Sequence, residues 1–371
     1  VRTGAVLTLA QAFTNGMNSN NLTIVCRDFT LDEGAGINVN YKGWGGVIND
    51  AGQGPGAGGT TDNEAAGGGH GGLGGSYGAT RGPVNDSTNA PVNPGSSGGS
   101  SRLYQYEPGG AGGGAVRIQA SRNVVINGTI LANGNYGPGR CGGGSGGAVY
   151  ITGQSFNGNA TAAMKADGGN GGGISGGASG SGGGGRIAVW RGLGAYAGAA
   201  TANRGPVGGS VLGDDGTVIW GFLPYLLPSP SNQFGYHESV QTLAVQGTMT
   251  NLLLGIRDAG LSTNDMYWGL STTDAWLSAV LATGVVATGT TAVLDITNSA
   301  VGKPVGVYTG QLTFVASNAT MRDVSAVPTT VTVLMNVVAA LPAVITSITS
   351  TNADGVYDAG ASINVTVDFS E

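Results

Sequence analysis

Apolar and polar positions alternate with a period of two in short runs along the first 220 residues. Such runs are Leu22-Thr23-Ile24-Val25, Gly36-Ile37-Asn38-Val39, Ala115-Val116-Arg117-Ile118, Val124-Val125-Ile126 and Ala148-Val149-Tyr150-Ile151. Arg186-Ile187-Ala188-Val189-Trp190 and Thr217-Val218-Ile219-Trp220 complete the series. β-Branched and aromatic enrichment in this alternation predicts strands. From about 231 to 338 the strand patterns become regular, as in Ser239–Val245, 292–296, 310–315 and 329–334. Several short strands with turn signals over about 100 residues predict a β-sandwich. Two more strands, Ala343 to Thr349 and Ser362 to Phe369, flank the turn Asn352-Ala353-Asp354-Gly355.

A Gly-Gly-strand start recurs, at GGGAVRI, GGAVYI and GGGGRIAVW, after about 33 and then about 38 residues. Periods of roughly 20–50 residues mark stacked arrays. Each unit offers a strand, a turn, a second strand ending in Asn-Gly or Asp-Gly, and a glycine-rich excursion. Stacking such units gives an all-β, parallel β-helix-like domain in which each coil buries its inward side chains on the next. A sandwich with long glycine loops fits the pattern as well. Pro224, Pro228 and Pro230 mark a boundary, and Leu341-Pro342 marks another. The expected domains are 1–222, glycine-rich and β-helix-like; 231–338, an immunoglobulin-like sandwich; and 343–371, a partial repeat or donated strand segment.

Composition sharpens this picture. Of the 371 residues 73 are glycine, several times the usual share of about 7%. No strict Gly-X-Y period runs through them, which excludes a collagen triple helix. The tracts at 67–78 and 168–185 would be flexible coil in isolation. Side by side they form close-packed, polyproline-II-like extended segments, since only hydrogen sits on their Cα atoms. Net charge is −6 and the basic residues are scattered, so phosphate neutralisation and nucleic-acid binding are not expected. No apolar run of about 18 residues appears. The chain begins at Val1 without an initiator Met or signal peptide, which reads as a processed chain or a piece of a longer one.

Candidate chemistry is sparse. Cys26 and Cys141 either close one disulfide or stand as two free thiols. His70 and His237 have no Cys or acidic cluster beside them, and His70 is expected to bond a carbonyl of a neighbouring glycine strand. Asp214-Asp215-Gly216 and Asp354-Gly355 with Asp358 offer oxygens to Ca²⁺ but supply no recognisable loop, and they read as turns. No cofactor is expected. Glycoside hydrolysis needs two positioned carboxylates. Asp28, Asp32, Glu33, Asp50, Asp62, Glu64, Glu107 and Asp167 do not recur at equivalent coil positions. Gly-x-Ser-x-Gly and GxGxxG matches lie in low-complexity tracts with no strand–helix unit around them. Tyr41, Trp44, Tyr77, Tyr104, Tyr106 and Tyr136 lie in or beside the glycine segments, where they either cover glycine backbone or stack on sugars. Asn-x-Ser/Thr sequons stand at Asn21, Asn85, Asn127, Asn159, Asn318 and Asn364.

Three stretches resemble known modules. The strand at 34–45, the tract GGGHGGLGGSYG and the three Gly-Gly-strand starts resemble a glycine-rich module of large secreted and surface proteins. Residues 231–338 resemble a bacterial immunoglobulin-like domain of the BACON type. The carriers are Asp274-Ala275-Trp276-Leu277-Ser278, the run 307–313 and Val331-Thr332-Val333; Met266-Tyr267-Trp268 departs from the pattern. The tail ITSITSTNADGVYDAGASINVTVDFSE resembles the opening strands of a tandem bacterial surface repeat. These resemblances imply an extracellular or cell-surface adhesive, matrix or stalk role without catalysis. On this reading Ile345, Ile348, Ile363, Val365, Val367 and Phe369 add strands to a neighbouring copy, giving head-to-tail filaments. A carbohydrate- or ice-binding module is the alternative, although the repeats carry no regular outward Thr ladder.

Overall fold

A computed structural model describes residues 1–10, 21–103, 106–174, 177–206, 211–224, 226–230, 239–321, 324, 328–340 and 344–370. Among these the protein is all-β, with no helix.

The N-terminal region is built on two parallel sheets to which successive repeats contribute. The first stacks Asn21–Cys26, Ala115–Ala120, Ala148–Asn157, Arg186–Leu193 and Thr217–Phe222. The second stacks Val6–Thr8, Gly36–Asn38, Thr129–Leu131, Ala163–Lys165 and Ala199–Thr201. Short strands Phe29–Leu31 and Asn123–Ile126 pair between them, the latter continuing onto the end of Ala148–Asn157. Ala115, Ala148 and Arg186 share one register position, so the Gly-Gly-strand starts are structurally equivalent. Between the sheets lies a core of Val116, Ile118, Val149, Ile151, Ile187 and Val189 against Ile37, Ile130 and Met164, closed by Leu31, Ile126 and Phe156. The middle strands of the first sheet are buried on both faces, as parallel strands usually are. On their outer face Tyr150, Ala188, Trp190 and Leu223 pack with Met321 and Val324 of the C-terminal region.

The glycine tracts extend the repeats away from the sheets. The chain leaves the second sheet at Leu131 and Lys165, runs out along 132–137 and 166–172, turns, and returns along 142–147 and 179–185 into the next strand of the first sheet. The hydrogen bonds of the returning passes recur every third residue. Amides of Gly142 and Ser145 donate to Gly99 and Ser96; those of Gly143 and Gly146 to Gly180 and Gly183; those of Gly144 and Gly147 to Asn135 and Ala132. The next pass repeats the scheme: Gly180 and Gly183 donate to Ala65 and Gly68, Ser181 and Gly184 to Val211 and Asp214, Gly182 and Gly185 to Gly169 and Ala166. A three-residue period is the turn of a polyproline-II strand. It hands each segment three neighbours where a β-strand has two. These backbone bonds replace the side-chain burial that glycine lacks.

The C-terminal region faces two sheets on one core. Leu226–Pro230, Met249–Asp258, Thr291–Ser299 and Leu277–Ala279 form one. Ser239–Val245, Thr329–Val338, Gly306–Ser317, Met266–Ser271 and Thr283–Val286 form the other. Leu254, Ile256, Leu294 and Ile296 meet Trp268, Leu312, Phe314, Val331, Val333 and Met335 between them. This region starts earlier than the sequence suggested. Pro228 and Pro230 lie in a strand paired with Ile256 and Leu254, and they are tolerated because that strand is a sheet edge, where a missing N–H breaks no ladder.

Ile345–Ser350 and Val365–Phe369 pair antiparallel with each other. The second strand begins at Val365, so Ile363 precedes it. Ala343 lies outside the described residues.

Candidate binding surface

Away from the sheets the glycine segments end in a set of contacting loops. Arg102 N and Leu103 N donate to Thr61 O and Asp62 O, each at 3.1 Å, and Ser101 Oγ donates to Asp62 O at 2.9 Å. Arg140 Nη1 reaches Asn63 O at 3.4 Å. Glu107 O accepts from Ser100 Oγ at 2.9 Å and Cys141 Sγ at 3.2 Å. The 76–81 loop is tied in by Gly59 N to Thr80 O at 2.8 Å and by Arg81 Nε to Gly74 O at 2.6 Å. On this end Tyr77, Tyr106 and Tyr136 are 72%, 85% and 61% exposed, with Leu103 also exposed. Tyr136 N donates to Asn135 Oδ1 at 3.0 Å, and all three rings are largely open to solvent. Tyr41 is exposed and Trp44 half-buried beside Gly54; Tyr104 lies outside the described residues.

A second constellation is buried. His70 is fully enclosed in the glycine layer, with Nδ1 2.9 Å from Gly146 O and Nε2 3.3 Å from Asp86 Oδ2. The carbonyl contact is the one expected of this residue; the carboxylate was not foreseen. Asp86, at φ 69°, also accepts from the amides of Ser87, Val92 and Asn93, each at 2.8 Å. Burial alone would raise its carboxyl. The bonds from His70, Asn93 and Ser87, with the charge of His70, reverse that and hold it below the ordinary carboxylate value. Arg186, buried at the head of its strand, donates to Asn85 O, Thr88 Oγ1 and Thr217 Oγ1 at 3.0–3.1 Å. Burial lowers its guanidinium from the usual value, and the charge of Asp86 opposes the shift. Trp190 Nε1 adds a bond of 2.7 Å to Asn89 O. His70, Arg186 and Trp190 thus pin the 85–93 loop over the first sheet. All these groups are spent on one another or on backbone. A cationic Arg186 at the start of an apolar strand was the available sequence signal for this anchor.

The remaining candidates are scattered. The disulfide considered between Cys26 and Cys141 is not formed, and both are free thiols. Cys26 stands in register with Ala120 in the first sheet, whereas Cys141 bridges Ser100 in the glycine layer. Burial pushes the Cys141 thiol up to about 11. Asp214 pairs with Arg81 at 3.2 Å, and Asp215 accepts from Arg204 N at 3.0 Å. Asp354 and Asp358 sit in an exposed turn segment. Among the described residues no three His, Cys, Asp or Glu side chains gather as metal ligands. Asp28 bonds Asn123, Asp32 pairs with Arg2, Glu33 accepts from Thr161, and Asp167 accepts from Thr201 and Asn203. Those carboxylates serve separate turns. His237 lies outside the described residues.

No family model matches the chain. No curated protein matches it either. Among solved structures, a PapD-like domain of human CEP192 is 12% identical, covering 32% of this chain and 89% of that one, with a TM-score of 0.27. A family 123 glycoside hydrolase from Clostridium perfringens is 8% identical over 31% of this chain and 27% of its own, with a TM-score of 0.25. The periplasmic chaperone SfaE is 10% identical, over 32% of this chain and 59% of its own, at 0.23. Likeness at this level carries no argument about function.

Proposed function

We propose that the chain is a non-enzymatic adhesive segment of an extracellular fibre, stalk or surface protein. In this reading the two parallel sheets are the faces of a β-helix-like shaft. The glycine segments are a polyproline-II-like extension of its coils, and the C-terminal sheets form an immunoglobulin-like domain. The glycine-rich, BACON-type and surface-repeat resemblances agree with that assignment. One observation carries it: Arg102 and Leu103 amides bond Thr61 and Asp62, Gly59 bonds Thr80, and the Arg140 and Cys141 side chains bond Asn63 and Glu107, tying these loops together, while Tyr77, Tyr106 and Tyr136 stand exposed on or beside them. Rigid aromatic side chains on fixed loops give contact area at little entropic cost, the economy of paratope tyrosines. Beads coated with the purified protein should adhere to cells bearing the target surface. Y77A/Y106A/Y136A should weaken adhesion at least tenfold, about 1.4 kcal/mol. Undiminished adhesion by the triple variant would remove the loop end as the contact surface.

Assembly by strand addition is a second reading, favoured by one observation. Ile345, Ile348, Val365, Val367 and Phe369 on the strand pair, and Ile363 just before its second strand, are all substantially exposed, and among the described residues none of them joins a hydrophobic core. Two strands alone are marginal in water, and outer edges with unpaired backbone groups accept a further strand.

A further inference from the structure

His70 is one of two histidines in the chain, and the glycine layer encloses it completely. Each of its ring nitrogens faces an oxygen. Nδ1 lies 2.9 Å from Gly146 O, and Nε2 lies 3.3 Å from Asp86 Oδ2. The Gly146 carbonyl can only accept. Asp86 also acts as an acceptor, because its carboxylate takes the amide hydrogens of Ser87, Val92 and Asn93 and is held ionised by them. A neutral imidazole has one N–H and one bare nitrogen. Either tautomer would set a lone pair against an oxygen inside a buried site, where an unmade bond is costly. The imidazolium donates from both nitrogens and makes both contacts at once.

That proton bears on the 85–93 loop. One oxygen, Asp86 Oδ2, accepts from His70 Nε2 and from the amides of Val92 and Asn93, so the ring and the far end of the loop share an anchor. Between the two ends Ala90 packs on Tyr150, Ala188 and Trp190 of the first sheet, and Trp190 Nε1 donates to Asn89 O at 2.7 Å. Pro91 and Val92 lie beside Thr23 and Arg117. The loop is therefore a strap across the outer face of that sheet. Besides Asp86, the charged group at the cluster is Arg186, which holds Asn85 O and Thr88 Oγ1. The glycine passes 67–75, 142–147 and 182–185 carry no charged residue apart from His70 itself. Gly184 N bonds Asp214 O, and the exposed Asp214 carboxylate is engaged by Arg81. The segments 11–20, 104–105, 175–176 and 207–210 contain no Asp, Glu, Lys or Arg. Arg186 grips 85–88 whatever the state of the ring, so the stretch that depends on the proton is 89–93.

We infer that His70 is held as the imidazolium and works as a proton-operated latch. With both ring protons it fixes Asp86, and through it Val92 and Asn93; loss of one proton as pH rises frees 89–93 from the first sheet. The latch is closed on the acid side of the ring's titration and open on the alkaline side. The test is NMR of the whole chain with ¹⁵N-labelled histidine rings, from about pH 5 to about pH 9, a range that brackets the ordinary histidine value of about 6.5. H237Q assigns the two sets of ring signals. At the acid end both His70 nitrogens should carry a proton. As one is lost, the Trp190 indole N–H and the amides of Val92 and Asn93 should shift with the same midpoint. Exchange of those two amides, corrected for its ordinary pH dependence, should quicken about tenfold or more, while Val149–Ile151 keep their protection. In H70Q the step should vanish. A neutral ring at about pH 5 with the loop in place, a ring that keeps both protons at about pH 9, or proton loss without movement of the loop signals would each overturn the inference. The same step persisting in H70Q would do so too. The ring signals of the unaltered chain decide the matter even if H70Q does not fold, and no readout here involves the loop-end tyrosines.

Discussion

At the residue scale, glycine acts in the layer beyond the sheets through the space it leaves. Gly142 is not in the left-handed region, yet a Cβ there would run into the Ala66 carbonyl oxygen, and one at Gly180 into that of Gly75. Backbone blocks both positions, so a neighbour cannot rotate away. Gly142→Ala should destabilise the N-terminal region by about 1–3 kcal/mol, the usual effect of overpacking, read as a lower thermal midpoint. Gly355→Ala, with open space around it, should stay within about 0.5 kcal/mol. Equal midpoints for the two variants would refute the close-packing account. Asp86 supplies the pH dependence. Its carboxyl lies below the ordinary value when folded, so its contribution is complete above the unfolded value of about 3.9 and fades as pH falls through the lower folded one. His70 and Arg186 are the other titratable groups of that cluster. The stability gap between the unaltered chain and D86N, measured by denaturant titration, should therefore be widest near neutrality and narrow below about pH 4. A gap that is flat with pH would contradict the assignment.

At the element scale, the strands were legible because alternation and β-branching coincide with burial. Val116 and Ile118, or Ile187 and Val189, point inward two residues apart. The boundary at the prolines was not legible, since Pro228 and Pro230 signal the end of a central strand but not of an edge one. Nor was the docking of the 85–93 loop, which depends on His70, Asp86 and Arg186 meeting across more than a hundred residues of sequence. The final strand pair gives this scale its prediction. Because none of its side chains joins either core, deleting 343–371 should leave the thermal transition of the remainder within about 0.5 kcal/mol. If the pair mediates assembly, the same deletion should abolish filaments seen by electron microscopy; unchanged filaments would dismiss strand addition.

At the scale of the whole molecule, the sequence showed a repeat and glycine tracts beside it. It could not show that the tracts are continuations of the repeat, because glycine carries no pattern from which neighbours can be read. The neighbours follow from the strand register, which places every returning pass opposite others that are distant in sequence. The alignment of Arg27, Arg122 and Ser155 in adjacent repeats was hidden for the same reason, since it follows only from the strand register. An ordered glycine layer is the premise of the loop-end surface, and amide hydrogen exchange tests it most directly. The amides of 142–147 and 180–185 should exchange orders of magnitude more slowly than in an unstructured peptide, approaching those of Val149–Ile151 in the adjoining strand. Exchange at unstructured rates in those glycines, with the strand still protected, would contradict the account.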